Sequence, residues 1–138
     1  MKNDYVRLII SDLHLGSAYS EEQALEAFLK TAEFDELILA GDILEFWKKP
    51  NFTDTTSRLM NYLSNLSNKK VVYIVGNHDD SFASFAGKTV AGIYFTKSYD
   101  FVYAGRKYRV EHGDDYETGV LNWQYTMQFI SLIQNAIE

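Results

Sequence analysis

Near its start the chain carries a β-rich, nearly continuous apolar stretch, Tyr5-Val6-Arg7-Leu8-Ile9-Ile10-Ser11. Runs of this kind are typical of a strand that is covered on both faces of a sheet, so we expect a central strand here. The stretch stops at Asp12, where polar residues begin. Because ligands bind beyond the carboxyl ends of strands in open α/β sheets, the end of this strand is a candidate position for a functional site.

The residues that follow alternate between helix and strand patterns. Apolar residues at helical spacing predict an amphipathic helix over Glu21–Thr31, with Ser20 as its N-cap, and a second helix over Asp54–Leu66. Short apolar runs predict strands at Glu36–Ala40 and Lys70–Val75. The order βαβαβ implies a parallel sheet with right-handed crossovers, so the predicted fold class is α/β.

The pattern changes in the later part of the chain. Strands are predicted at Ala91–Thr96, Tyr99–Tyr103 and Lys107–Glu111, too close together for helical crossovers, with a hairpin turn at Ala104–Arg106. We therefore expect antiparallel strands here. One long helix, apolar on more than one side, is predicted over Gly119–Ile137.

Length and composition exclude several classes of protein. The chain has 138 residues, 46% of them hydrophobic, and a formal charge of −6 from 13 Lys+Arg and 19 Asp+Glu, which suits one globular domain over residues 1–138. The acidic balance argues against dedicated binding of DNA or RNA. There is no cysteine, the N-terminus is polar, and no apolar run is long enough to span a bilayer. We expect a cytoplasmic protein without a transmembrane segment.

Polar residues that bind metals follow four of the predicted strands, and they include all three histidines. They are Asp12, His14, Asp42, Asn77, His78 and His112. A lone aspartate at a strand end is more often an Asx turn or a helix cap than a ligand. As an ordered set on loops that should converge at one edge of the sheet, these residues predict a metal site.

The mixture of carboxylate, imidazole and amide oxygen favours cations with nitrogen and oxygen ligands. Mn²⁺ is the cation we favour, with Fe²⁺ and Zn²⁺ as alternatives. A carboxylate such as Asp42 can bridge two cations about 3.5–4 Å apart, whose bridging hydroxide could attack phosphorus. His78 could protonate the leaving oxygen or meet the developing charge, and Asp79 could fix its tautomer through a hydrogen bond. These two residues are the predicted catalytic pair.

Four ordered motifs together resemble the calcineurin-like metallophosphoesterases. They are Ser-Asp-Leu-His-Leu-Gly at Ser11–Gly16, Gly41–Asp42, Gly-Asn-His-Asp at Gly76–Asp79, and His-Gly-Asp at His112–Asp114. The resemblance runs from about residue 5 to about residue 115 and implies the αββα sandwich of that family, of which this chain would be the N-terminal part. It also implies hydrolysis of a phosphomonoester, phosphodiester or pyrophosphate, in a small molecule or nucleotide-type substrate.

The resemblance also implies a ligand set. Asp12, His14 and Asp42 would hold one cation, and Asp42, Asn77 and His112 would hold the other, with His78 as the catalytic histidine. The motifs look most like the branch that contains the UDP-2,3-diacylglucosamine pyrophosphatases. Those enzymes typically carry Arg where this chain has His78, which favours a generic phosphodiesterase or phosphatase.

The family closes its metal site with a Gly-His-x-His element, and this chain has no histidine after His112. We therefore expect a C-terminally truncated domain whose uncovered sheet edge leads to self-association. The alternative function is a non-catalytic binding module that keeps the fold with an incomplete metal site. Phe46, Trp47 and Phe52 are candidates either for a substrate groove or for core packing or a partner contact.

Overall fold

The computed structural model describes residues 4–47, 50–66 and 68–114, and it contains seven strands, two α-helices and one 3₁₀ helix in these ranges. The elements in chain order are β1 (Arg7–Ile10), α1 (Glu22–Thr31), β2 (Glu36–Ala40), α2 (Asp54–Ser64), β3 (Lys70–Ile74), the 3₁₀ helix (Asp80–Phe85), β4 (Thr89–Val90), β5 (Ile93–Thr96), β6 (Ser98–Tyr103) and β7 (Arg106–Glu111). The predicted long helix at Gly119–Ile137 lies outside the described residues.

The described strands form two sheets. The first has the order β1-β2-β3-β5-β4, with β1, β2, β3 and β5 parallel and β4 antiparallel to β5. The second is the antiparallel hairpin of β6 and β7. The α/β class, the βαβαβ order and the later antiparallel pairing are confirmed.

The position of β1 differs from the expectation of a central strand. In the part of the chain that the structure describes, β1 pairs only with β2 and stands at the edge of the sheet. Ile9 is 45% exposed, whereas Leu8 and Ile10 pack against the main core. The neighbouring strand β2, which lies between β1 and β3, is buried along its whole length. An apolar run favours a buried strand, but it shows neither that both faces are covered nor on which sides further strands pair.

The strand at Ile93–Thr96 also differs from its expected pairing. It lies parallel to β3, with Val71 opposite Ile93 and Ile74 opposite Thr96. A parallel connection needs about a dozen residues or more, and this one is long enough although it contains only the 3₁₀ helix and β4. Crossovers without an α-helix leave no amphipathic signal, so sequence patterning could not identify this one.

Alternation along β2 and β3 divides the core between the two faces of the sheet. Leu37, Leu39 and Tyr73 belong to the larger cluster, which includes residues of both helices. Ile38 and Val72 point to the other face. There they pack against four partly buried residues. Tyr94 belongs to β5, and the hairpin supplies Tyr99, Phe101 and Val110. The hairpin therefore forms the first part of a second layer.

The predicted N-cap of α1, Ser20, is wrong. The N-cap of α1 is Glu21, without a side-chain hydrogen bond, whereas the predicted cap Ser20 donates its hydroxyl to the Leu13 carbonyl at 2.9 Å. Thr53 caps α2 in a capping box with Thr56. No helix in the described ranges has both the length and the apolarity needed to cross a membrane.

Candidate metal centre

Three of the predicted ligands lie in turns with left-handed backbone geometry. The φ angles are 54° at Asp12, 46° at His14 and 52° at Asp42. This conformation is uncommon for residues other than glycine, and it persists only where the surroundings hold it in place. Such strain at three ligand candidates, all just beyond strand ends, is typical of a functional site.

Backbone hydrogen bonds between the loops after β1 and β2 hold these turns. The amides of Asp12, His14 and Leu15 donate to the carbonyls of Gly41, Asp42 and Ile43, at 3.1, 2.9 and 2.8 Å. The two loops therefore continue side by side past the end of the sheet, as if the strands went on. These bonds fix the backbone at Asp12, His14 and Asp42 and thereby the points from which the three side chains start.

The side chains meet in two groups that share Asp42. One group is His14, Asp42 and His78, and the other is Asp12, Asp42 and His112; within each group the candidate ligand atoms lie within 4.8 Å of one another. In the second group, His112 Nε2 is 3.1 Å from Asp42 Oδ2 and 3.7 Å from Asp12 Oδ1. In the first, His14 Nε2 is 3.9 Å from Asp42 Oδ2.

The two ligand sets that the resemblance implied stay a prediction, and the structure adds which of these side chains face one another. The structure places Asp12 beside His112, whereas His14 lies beside His78, with ring centroids 4.6 Å apart. Asn77 lies half-buried next to His78 in the loop after β3. All six residues therefore belong to loops at the same edge, but the spacing of motifs could not show which side chains face one another.

Two glycines allow the loops to approach so closely. A Cβ atom on Gly41, whose φ is +85°, would lie 2.3 Å from Cδ2 of His112. A Cβ on Gly76 would lie 2.5 Å from Oδ1 of Asp42. Only glycine fits at either position. A side chain at Gly41 would displace His112, and one at Gly76 would displace Asp42.

The charges of the site are set by these contacts. Burial alone would raise the pKa of Asp42, but the hydrogen bonds from the His112 side chain and the His78 backbone hold the pKa below its usual value. The Asp42 carboxylate in turn raises the pKa of His112 to about 9, against the opposite effect of burial. Since a ligating imidazole must be neutral, a cation at this position would have to displace the His112 proton.

Glu45 is a residue of the site that the sequence motifs did not identify. Its buried carboxylate lies 3.1 Å from Nδ1 of His14 and 3.0 Å from Nδ1 of His78. Because a carboxylate only accepts hydrogen bonds, both Nδ1 atoms carry a proton, which leaves each Nε2 for the site. An acidic residue within the apolar run Ile43–Trp47 was the signal that could have identified it.

Trp47 packs on one face of the His78 ring. The two rings are stacked, with centroids 3.9 Å apart and planes inclined by 24°. The backbone amide of Trp47 also donates to Glu45 Oε1 at 2.9 Å. His78 is therefore held at Nδ1 by Glu45 and across its ring by Trp47.

The prediction of a hydrogen bond between Asp79 and His78 is wrong. The fully buried carboxylate of Asp79 accepts instead from the amides of Ile43 and Gly76, at 2.8 and 2.6 Å, and from the Tyr73 hydroxyl at 2.5 Å. Adjacent residues point their side chains in different directions, so Asp79 ties the ends of β2 and β3 together. Glu45, distant in sequence, takes the place beside His78.

The donor set of the two groups fits a pair of hard or borderline divalent cations. It consists of carboxylate oxygens and imidazole nitrogens without thiolates, and one carboxylate is common to both groups. Glu45 supplies the carboxylate that commonly orients a ligating histidine. The fold and these residues define an α/β protein with a candidate metal centre.

The family assignment agrees with this site. The model of the calcineurin-like phosphoesterase family matches residues 6–134, and the chain belongs to that family. Among solved structures, the Pseudomonas putida nuclease MPE is similar, with 25% sequence identity and a TM-score of 0.46. The similarity covers 71% of this chain and 49% of the nuclease chain, so this chain spans about half the length of that relative. No curated protein matches the chain.

Proposed function

We propose that this protein is a metal-dependent phosphoesterase that hydrolyses a phosphomonoester, phosphodiester or pyrophosphate. The observation that carries the proposal is the pair of ligand groups that share Asp42 at the strand ends. Family membership gives the same direction, because it associates this fold with phosphate-ester chemistry. The carrier of the phosphate is a small molecule or a nucleotide-type compound.

We assign the cations to Asp12, His14, Asp42, Asn77 and His112, with Asp42 common to both. Mn²⁺ is the cation we favour, with Fe²⁺ or Zn²⁺ as alternatives. When bound, two such cations lower the pKa of water and neutralise charge on a phosphoryl group, which is the chemistry that ester hydrolysis requires.

His78 acts on the substrate side of the site. Glu45 holds a proton on His78 Nδ1, so the function of this residue is performed at Nε2, either by protonating the leaving oxygen or by a hydrogen bond to a phosphoryl oxygen. The stacked Trp47 ring keeps that nitrogen aimed in one direction. Asp79 contributes through the loop that it anchors, since it does not touch His78.

The particular branch of the family is a finer part of the proposal. The motifs resemble the UDP-2,3-diacylglucosamine pyrophosphatase branch, but His78 occupies the position where those enzymes typically have Arg. An imidazole can deliver a proton near neutral pH and a guanidinium cannot. We therefore favour a generic phosphodiesterase or phosphatase over the lipid pyrophosphatase activity.

The first test measures cation content and hydrolysis together. We expect about two divalent cations per chain by elemental analysis and Mn²⁺-dependent hydrolysis of an aryl phosphodiester that stops after exhaustive chelation. Turnover that survives chelation would contradict the mechanism. A chain that takes up no cation would instead be the non-catalytic binding module.

The second test separates chemistry from cation binding. The variant His78→Ala should lower turnover by about 10²–10³, the usual cost of one transition-state contact, while keeping most of its Mn²⁺. Loss of cations in parallel with activity would move His78 from the catalytic role to the ligand set, which its place beside His14 and Asp42 allows.

Self-association is a further expectation of the proposal. Val102, Tyr103 and Tyr108 of the hairpin are exposed, at 58%, 60% and 41%. Within the described ranges β6 and β7 pair only with each other, and exposed apolar side chains beside an unpaired strand edge favour pairing with another chain. Light scattering should report a species larger than the monomer; a monomer at micromolar concentration would refute this expectation.

A further inference from the structure

A buried carboxylate outside the ligand set joins the site to both helices. Glu22, the first residue of α1, is 8% exposed. Its Oε1 accepts from the Gly16 amide at 2.9 Å, and its Oε2 accepts from the Thr53 hydroxyl at 2.9 Å. The Thr56 hydroxyl lies between the two oxygens, 2.8 Å from Oε1 and 2.7 Å from Oε2. One side chain thus contacts the loop after β1 and the start of α2.

Gly16 is the point where this carboxylate acts on the site. It lies two residues beyond His14, and its own φ is +93°. A Cβ at this position would lie 2.6 Å from the Phe52 ring, so the loop is confined on that side. The Gly16 carbonyl accepts from the Asn51 amide at 2.8 Å. The amide and the carbonyl of Gly16 are therefore both anchored, one by Glu22 and one by the loop before α2.

The same helix offers a carboxylate that joins the two helices without touching the loop. Glu26 accepts two hydrogen bonds from Arg58 of α2, at 2.8 and 3.0 Å, and one from Lys30. The two helices are therefore already linked on the exposed side. Within the described residues Glu22 is held by an amide and two hydroxyls, and a buried carboxylate without a cation is retained at a cost. That cost is explained if Glu22 has a task that Glu26 does not have.

We propose that Glu22 is a positioning residue for the metal centre, which clamps Gly16 and thereby holds the strained His14 turn in ligand geometry. This inference rests on the proposed function, since it assigns His14 to a cation. The left-handed turn at His14 needs support from its surroundings. The bonds to the loop after β2 hold the turn from Asp12 to Leu15, and the Glu22 clamp holds the next residue, Gly16.

The test compares Glu22→Gln with the matched control Glu26→Gln. Glutamine keeps the shape of Glu22 but has one acceptor oxygen, and its amide group would present a donor to Gly16 or to the threonine hydroxyls. We expect Mn²⁺, titrated by electron paramagnetic resonance, to bind Glu22→Gln about tenfold more weakly, as after loss of a supporting contact of a ligand. The control should bind Mn²⁺ with the affinity of the original chain.

Two further measurements distinguish positioning from a merely structural role. Hydrogen exchange of the Gly16 amide, followed by NMR without any cation, should be faster in Glu22→Gln and unchanged in Glu26→Gln. Saturating Mn²⁺ should restore the turnover of Glu22→Gln on the aryl phosphodiester, because the residue does not touch substrate. If Glu22→Gln does not fold, Thr56→Val removes one of the three donors and should show a smaller loss of affinity in the same direction.

The outcomes separate the two proposals. If the original chain binds Mn²⁺ and Glu22→Gln binds it equally well, the positioning role is overturned and the proposed function stands. Equal losses in Glu22→Gln and Glu26→Gln would show a general effect of helix packing and also overturn it. If the original chain binds no Mn²⁺, the proposed function fails, whatever the Gly16 exchange rate shows about the clamp.

Discussion

The two ends of the parallel strands β1, β2 and β3 carry charged residues in different arrangements. At the amino ends, Arg7, Glu36 and Lys70 stand side by side as the first residues of β1, β2 and β3. The fully buried Glu36 pairs with Arg7 at 2.5 Å and with Lys70 at 3.7 Å. At the carboxyl ends, the ion pairs that the structure shows for Asp12 and Asp42 within its described ranges are with histidines alone.

Backbone geometry differs between the two ends in the same sense. The amino-end residues begin regular strands in register, and Arg7 also lies over the ring of Phe101, 4.5 Å from its centroid. The carboxyl-end residues sit in left-handed turns. The first end pairs its carboxylate with the side chains of Arg7 and Lys70, and within the described residues only Oε2 of Glu36 accepts a hydrogen bond. The second end gathers acceptors in strained turns, an arrangement that a divalent cation would complete.

The largest expected effect comes from removing Asp42, the ligand shared by both groups at the carboxyl ends of the strands. Asp42→Ala removes the one carboxylate common to both ligand groups, so Mn²⁺ affinity should fall more than about 100-fold, beyond the usual cost of losing a supporting contact. Asp12→Ala touches one group and should leave part of the binding, as isothermal titration would show. Equal losses in the two variants would mean that Asp42 is not shared.

The next effect comes from the close approach of Gly41 to His112. Gly41→Ala places a methyl group against His112 and requires a left-handed alanine, so we expect weaker Mn²⁺ binding and lower stability. Gly105→Ala is the matched control, because its φ of +75° imposes similar backbone strain with nothing within 4 Å of the new Cβ. That control should lose about 1–2 kcal/mol in urea denaturation and no Mn²⁺ affinity. An affinity loss in both would assign the effect to strain rather than to the contact with His112.

A change at the amino end should give the reverse result. Glu36→Gln removes the negative charge that Arg7 and Lys70 share. Because the side chains of Arg7 and Lys70 retain access to water, we expect a loss of about 1–3 kcal/mol in the free energy of unfolding. Mn²⁺ affinity should be unchanged, which calorimetry can check. A marked loss of affinity would show that the amino and carboxyl ends of these strands are coupled.

The smallest effect is a pH dependence on the exposed helix surface. Hydrogen bonds from Arg58 and Lys30 lower the pKa of Glu26 from 4.5 to about 2. A lowered pKa contributes stability above the unfolded value of 4.5 and loses it as pH falls through about 2. The stability difference between the original chain and Glu26→Gln should therefore shrink across this window in acid denaturation followed by circular dichroism. A constant difference would show that the pairing with Arg58 is not formed in solution.

Sequence patterning was most reliable where local chemistry and fold agree. The strand at Glu36–Ala40 has the predicted bounds, and the α/β class follows from the alternation of elements. The edge position of β1 and the parallel pairing of β5 were not predictable in this way, because strand neighbours are chosen by long-range contacts. For Ser20, a cap-forming residue type was present, but its hydroxyl bonds to Leu13 instead.

The sequence by itself determined which residues could form a metal centre and at which edge of the sheet they would stand. That follows from residue chemistry and from the rule that loops after parallel strands share an edge. Only the tertiary structure decided that Asp12 faces His112, that Glu45 rather than Asp79 holds His78, and that Glu22 reaches Gly16. Side-chain direction within a loop depends on φ, on close glycine contacts and on hydrogen bonds to residues roughly 30 positions away, as the 33-residue separation of Glu45 and His78 shows, and residue spacing along the chain does not encode these.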